Sequence, residues 1–316
     1  MRMHVGVAGR LVARRIAAMV AVRAVAIAVS LAGMCLAAVY AHAETTVGKI
    51  RRTNTLVIAY LDQQFPFSAR SEDGQPYGYS IDLCRHIAEA VRRELKLPQL
   101  QVRYRLVDAS SRFDAVARGD ADIECGATTN NAARRAQFAF TIPHFITSTR
   151  MIVRKSSGIH DWSELRDKRV VLVRGSSIIP YVRAFDATGM LRMQLLETDK
   201  ESEALSMLVN GEVDAYADDE ALLHAFRNDM EDGAAFAIEG EALSVDAYAM
   251  MMRKDAAAFK TIVDREMARM IFDGDIYAIY DRWFMQPVGP DRRSLNVPMS
   301  YLLRDSFHFP SDKVMQ

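Results

Sequence analysis

Chemistry concentrates in one segment, Glu124-Cys-Gly-Ala-Thr-Thr-Asn-Asn-Ala-Ala-Arg-Arg135. Small residues and hydroxyls at a strand end leave N–H and O–H donors free to face a ligand. A following arginine, Arg134, is placed to grip a carboxylate through two parallel hydrogen bonds. The alternative for the same residues is a strand-to-helix cap with surface arginines. Nothing here builds a nucleophile or a metal centre. There is no Gly-x-Ser-x-Gly elbow, no glycine-rich phosphate loop, and the seven histidines are scattered without ligand spacing. Trp162 and Trp283 read as packing residues. Tyr60, Phe65 and Tyr79 are the aromatics placed to flank a small ligand, with the core of the fold as their alternative.

The elements that must position this segment alternate strand and helix. Thr55–Tyr60 is a continuous β-rich run, as for a buried parallel strand. Tyr79–Leu95 reads as an amphipathic helix with Cys84, Ile87, Ala88 and Val91 on one face, stopped by Pro98. Val102–Val107 is a strand, Phe113–Arg118 a short helix, and Ala121–Cys125 a third strand. The pattern restarts with strands at Met151–Arg154, Val170–Val173, Gln194–Leu196 and Val213–Ala217. Short helices lie between them, at Trp162–Leu165, up to about Phe185, and at Glu203–Val209. Phe113–Asp122 and Leu205–Asp214 share one layout: helix, Gly, acid, any residue, Asp, strand. Two α/β units of similar topology are therefore expected. Facing each other, they would make a cleft whose helix N-termini and loop N–H groups suit a carboxylate, closing by a hinge. The chain would cross between the units near Phe145–Arg154 and return near Glu241–Met250. Val245–Arg253 is strand-like, and Ala256–Phe272 and Asp275–Met285 are helical. A tail containing Pro287, Pro290, Pro298 and Pro310 is expected to be extended.

Charge is balanced over the 316 residues, 40 basic against 40 acidic. The first 43 hold five arginines and no acid, so the remainder carries 35 basic against 40 acidic residues. A mildly acidic body has no electrostatic footprint for nucleic acid. A basic stretch to Arg23, an uncharged run Ala24–Tyr40 and Ala41-His42-Ala43 make residues 1–43 a cleavable secretory signal peptide, with a short membrane anchor as the alternative. Export places the protein in the periplasm. Cys84 and Cys125 follow the leader. They are either a disulfide, permitted in an oxidising compartment, or two small buried thiols.

The segment Glu124–Asn131 resembles the ligand loop of the family 3 solute-binding proteins, the amino-acid receptors of ABC importers, and is most similar to the glutamate/aspartate branch. Phe65-Pro-Phe-Ser68, Gly78-Tyr-Ser-Ile-Asp82, Asp218-Asp-Glu-Ala-Leu-Leu223, Asp246-Ala-Tyr248, Met252-Arg-Lys-Asp255 and Asp281-Arg-Trp-Phe284 support it in the same order. The resemblance runs from about Leu56 to Pro287. It implies an α/β, two-lobed periplasmic binding protein-like fold of type II, each lobe a mixed sheet flanked by helices. Lobe one would be 44–147 plus 243–286, lobe two 148–242, and the tail 287–316. It implies a monomer that hands a small amino acid to a membrane permease, with no cofactor, metal or nucleic acid. Carried over residue by residue, Thr129 and Arg134 would hold the α-carboxylate and Asp219 the α-ammonium, with a helix N-cap as the alternative for Asp219. Ser176 would add a hydroxyl from lobe two. Arg112 matches an arginine that acidic-ligand members use, with a surface arginine as its alternative. The side-chain pocket departs from that branch. Leu61 stands where acidic-ligand members carry an arginine, Ala109 and Ala127 replace hydroxyls, Val173 replaces a threonine and Glu201 a histidine. A second carboxylate on the ligand would meet Arg112 and little else. Glutamate, aspartate or another polar amino acid all remain open. The same fold resembles periplasmic dehydratases acting on prephenate or arogenate, in which Glu201 or Glu124 would supply a general acid.

Overall fold

Alternation on two central strands builds both cores of the protein. The computed structural model describes residues 44–187, 189–289 and 294–313, so the leader reading lies outside the described residues. On β1 (Thr55–Tyr60), Leu56, Ile58 and Tyr60 face one apolar cluster and Ala59 the opposite one. On β10 (Arg169–Val173), Val170 and Leu172 face one cluster, Val171 and Val173 the other. Strands buried on both faces read as continuous apolar runs, which is why both were legible.

Short strands β2 (Gln63–Gln64), β3 (Ser68–Arg70) and β4 (Pro76–Tyr77) form a small antiparallel sheet beside β1. The first large sheet has the order β5-β1-β6-β15-β7, with β5 at Gln101–Leu106, β6 at Ile123–Glu124, β7 at Phe138–Phe140 and β15 at Met251–Arg253. The second has the order β11-β10-β12-β9-β13, with β9 at Thr149–Arg154, β11 at Gln194–Thr198, β12 at Ala215–Asp219 and β13 at Phe236–Glu239. Each sheet has three parallel strands followed by an antiparallel one. The first draws on chain from both sides of the second. Between them β8 (Phe145–Thr147) pairs with β14 (Asp246–Tyr248), Thr147 opposite Asp246. Below this ladder the Phe145 ring packs on Phe67 at 4.8 Å and on Phe284 at 4.9 Å.

The repeated layout seen in sequence has a physical cause. Gly119 and Gly211 each end a helix in the left-handed region, at φ 73° and 74°. The aspartate three residues on then clamps the start of the neighbouring central strand. Asp122 accepts from Val57 N at 2.8 Å and its own N–H donates to Val57 O at 2.8 Å. Asp214 accepts from Arg169 N at 2.8 Å and donates to Arg169 O at 2.9 Å.

Helices cover the sheets: α1 (Thr46–Thr53), α2 (Tyr79–Leu95), α3 (Ser111–Ala117), α4 (Ala132–Gln137), α5 (Ile179–Phe185), α6 (Glu201–Val209), α7 (Glu220–Asp229), α8 (Ala257–Asp273) and α9 (Asp275–Phe284). The tail corrects an expectation. Part of it is a helix, α10 (Tyr301–His308), where an extended segment was expected. Ser300 caps it by accepting from Leu303 N, and Leu303 and Phe307 bury against the first lobe. Pro298 and Pro310 lie on either side of that helix and do not interrupt it. The cysteines meet as a Cys84–Cys125 disulfide, joining α2 to the residue after β6.

Candidate functional site

The ends of β6 and β12 meet across the two lobes and carry the polar groups of one small cavity. The segment after β6 is fixed by the returning crossover. Thr129 bridges Tyr248, Asn130 N donates to Ala247 O at 2.8 Å, and Ala249 N donates to Thr128 O at 3.0 Å. Asn131 then caps α4 by accepting from Arg134 N at 2.9 Å, which aims the arginine back at the loop. Arg134 Nη1 donates to Thr129 O at 2.9 Å. Nη2 donates across the cleft to Gly175 O at 3.0 Å. Ser177 Oγ reaches Thr129 Oγ1 at 2.9 Å, a second bond between lobes. A side chain at Gly175 has no room, since a Cβ there would stand 2.7 Å from Ala109 O. The lobes are therefore closed on each other, around a cavity of about 20 Å³.

Seven of the eight residues expected from sequence line this cavity: Arg112, Ala127, Thr129, Arg134, Ser176, Glu201 and Asp219. Ala109 and Val173 line it too. Leu61 does not. It is 3% exposed and packs among Ala59, Val107 and Phe138, because a leucine at that point joins the adjacent apolar cluster. Gln64, which sequence reading passed over, takes a wall instead. Its Oε1 accepts from Ala127 N at 3.0 Å and its Nε2 donates to Glu201 Oε1 at 3.4 Å. Ser177 and Asp218 are the other polar groups passed over. Of the aromatics, Tyr60 and Tyr79 are core residues, and Phe65 packs on Trp283 at 6.3 Å.

Asp219 stands at the N-cap position of α7, yet its side chain makes no capping bond. Its Oδ2 accepts from Tyr248 OH at 2.5 Å, and its Oδ1 is buried without a partner. Burial, followed by the neighbouring Asp246 and Asp218, pushes its pKa well above the carboxylate range. Burial likewise pushes Asp218 up to about 7, against the hydrogen bond from Tyr216. Arg134 is pulled down to about 9 by burial and then by Arg112. Arg112 is not a surface residue: it is 3% exposed, and its Nε and Nη1 have no partner. Its guanidinium carbon sits 4.9 Å from the centre of the Phe113 ring, and that of Arg134 sits 5.0 Å from the same ring. Burial raises Glu201 and Glu124, with Arg112 opposing both. Buried charges this close persist only when opposite charges or a ligand answer them. Among the described residues no group of His, Cys, Asp and Glu could hold a metal ion.

Residues 56–286 match the bacterial extracellular solute-binding proteins, family 3. The chain belongs to this family. An L-glutamate/L-aspartate-binding protein of Pseudomonas aeruginosa is 36% identical over 272 residues, 86% of this chain and 90% of that protein. A glutamate/aspartate import solute-binding protein of Escherichia coli K12 is 30% identical over 273 residues, again 86% and 90%. Among solved structures, an ancestral arginine-binding protein bound to glutamine superposes with a TM-score of 0.65 at 26% identity, covering 73% of this chain and 98% of its own. This solute-binding protein thus has the two-lobed α/β fold that the resemblance implied, and its named relatives are binding proteins.

Proposed function

We propose that the protein is a periplasmic receptor that closes its two lobes on a small amino acid and passes it, as a monomer, to the permease of an ABC importer. One observation carries the reading: a half-buried guanidinium, Arg134, and a buried carboxylate with an unpartnered oxygen, Asp219, face the same interlobe cavity. That pair matches an α-carboxylate and an α-ammonium. The cavity in its closed form has room for about one water, so capture requires the lobes to part and reclose. The β8–β14 ladder is the pivot in this reading. Lobe one is 44–147 plus 243–286, lobe two 148–242 and the tail 287–316. The leader 1–43 directs export. The receptor reading is favoured over the dehydratase alternative because the Pseudomonas and Escherichia relatives are named for binding.

The test is a thermal-shift screen of ligand-stripped mature protein against the common L-amino acids. A ligand at a hundred times its Kd adds about 2.7 kcal/mol of stability. One clear shift supports the receptor reading and names the ligand. A flat response to every amino acid removes it.

Ligand capture should also be proton-linked. An ammonium pairs only with ionised Asp219, whose pKa in the empty cleft is raised by burial and by Asp246 and Asp218. Below that raised value binding must expel a proton. Affinity therefore rises with pH, by at most about tenfold per unit, and levels off above it. Calorimetry in two buffers of different ionisation enthalpy, repeated down a pH series, should show proton release that grows toward acid pH. Equal heats in both would remove Asp219 as the ammonium partner.

A further inference from the structure

One residue of the cavity wall, Arg112, poses a specific chemical demand. Arg112 presents two N–H groups, on Nε and Nη1, that nothing in the protein accepts. A buried unpartnered donor is costly, so a ligand atom must accept from them. The ordinary candidate is a carboxylate. The surroundings oppose it. The cavity wall carries two cations, Arg112 and Arg134, and three acids, Glu201, Asp218 and Asp219. Glu124, fully buried and outside the cavity wall, attracts Arg112 electrostatically, although its own two carboxylate oxygens have no hydrogen-bond partner. A zwitterion's own charges are met by Arg134 and Asp219. What remains open at Arg112 is hydrogen-bonding capacity without net positive charge, and that fits a neutral acceptor. Glu201 lines the same cavity and is 7% exposed. Its Oε1 accepts from Gln64 Nε2 and its own backbone N–H also donates to the carboxylate, which still leaves it lone pairs to offer. It can therefore accept from a donor on the ligand. A neutral acceptor beside a donor is a carboxamide.

We propose that the side-chain subsite selects a carboxamide, as in glutamine or asparagine, over the matching carboxylate, with Arg112 donating to the amide oxygen and Glu201 accepting from the amide nitrogen. This rests on the receptor reading above and departs from the acids named for the Pseudomonas and Escherichia relatives. Discrimination comes from Glu201. An amide nitrogen in that place donates to it, and a carboxylate oxygen there is repelled.

Titrate the ligand-stripped mature protein by calorimetry with L-glutamine, L-asparagine, L-glutamate and L-aspartate at pH 7.5. The better amide should bind at least tenfold tighter than its own acid. Glu201→Gln removes the charge and supplies a donor, so it should shift the amide-to-acid ratio toward the acid by tenfold or more. Arg134→Ala should weaken all four together. The proposal is overturned if the acid binds tighter to the unmodified protein, or if Glu201→Gln leaves the ratio unchanged. Both results leave the receptor reading standing. If no α-amino acid binds the unmodified protein at all, the receptor reading falls and takes this proposal with it.

Discussion

Arg134→Ala should weaken amino-acid binding by about thirtyfold or more while leaving the empty protein close to its normal melting temperature. Removing one partner of a buried, hydrogen-bonded charge pair costs about 2–5 kcal/mol of affinity. The ligand carboxylate would be the abandoned partner, enclosed between closed lobes with Thr129 and Ser176 as its remaining donors. The empty protein loses far less. Arg134 pairs there with two carbonyl oxygens, of Thr129 and Gly175, while burial and then Arg112 pull its pKa down to about 9. Loss of the cation relieves that repulsion while it exposes Asp219 and Asp246 to each other. The two changes oppose. Arg134→Lys separates charge from geometry. A lysine keeps the cation and loses the two-pronged donor, so it should recover part of the affinity. Calorimetry gives the affinities and a melt of the empty variants gives their stability. An Arg134→Ala protein that binds within threefold of the unmodified one would take this arginine out of the site.

What sequence made legible follows the range of the forces involved. The helix at Tyr79–Leu95 was bounded correctly because its ends are set locally, by Gly78 before it and by the left-handed Lys96 after it. Short strands were not. Ala121–Cys125 was expected where only Ile123–Glu124 pairs, and Val213–Ala217 where Ala215–Asp219 does. Strand ends depend on the neighbour, and a propensity scan cannot see the neighbour. That two-residue shift mattered, since it places both Asp218 and Asp219 at the end of β12, where only Asp219 had been singled out. Gln64 carried no signal either. It reaches Ala127 and Glu201 only because β2 and β3 fold as a hairpin beside the ligand loop. Thr129, Arg134, Asp219 and Arg112 were found through the order of motifs along the chain. Leu61, expected at the site through the resemblance, packs with the apolar cluster of Ala59, Val107 and Phe138 and does not line the cavity. The pairing of the two cysteines stayed open, because nothing local links positions 41 residues apart.

That pairing carries the second large effect. The Cys84–Cys125 bond closes a loop of 41 residues. In the chain-entropy picture a crosslink over such a loop stabilises the folded state by about 4 kcal/mol. Both sulfurs are buried, so Cys84→Ala with Cys125→Ala leaves small apolar side chains in small apolar sites and loses mainly the crosslink. For a chain of this size the melting temperature should fall by roughly 10 °C. The bond also anchors the ligand loop. Cys125 directly precedes Gly126, where a Cβ would stand 2.5 Å from Glu124 Oε1, and Ala127, whose N–H holds Gln64. Freed from α2, this stretch can shift and carry Gln64 with it, so affinity should fall several-fold as well. The same double variant bears on location. Protein made in a reducing cytosol should melt like the variant until it is oxidised, and protein recovered from an oxidising compartment should not. A double variant that melts within 2 °C of the unmodified protein would show that the crosslink adds no stability, and that the fold of α2 against β6 suffices to hold the loop.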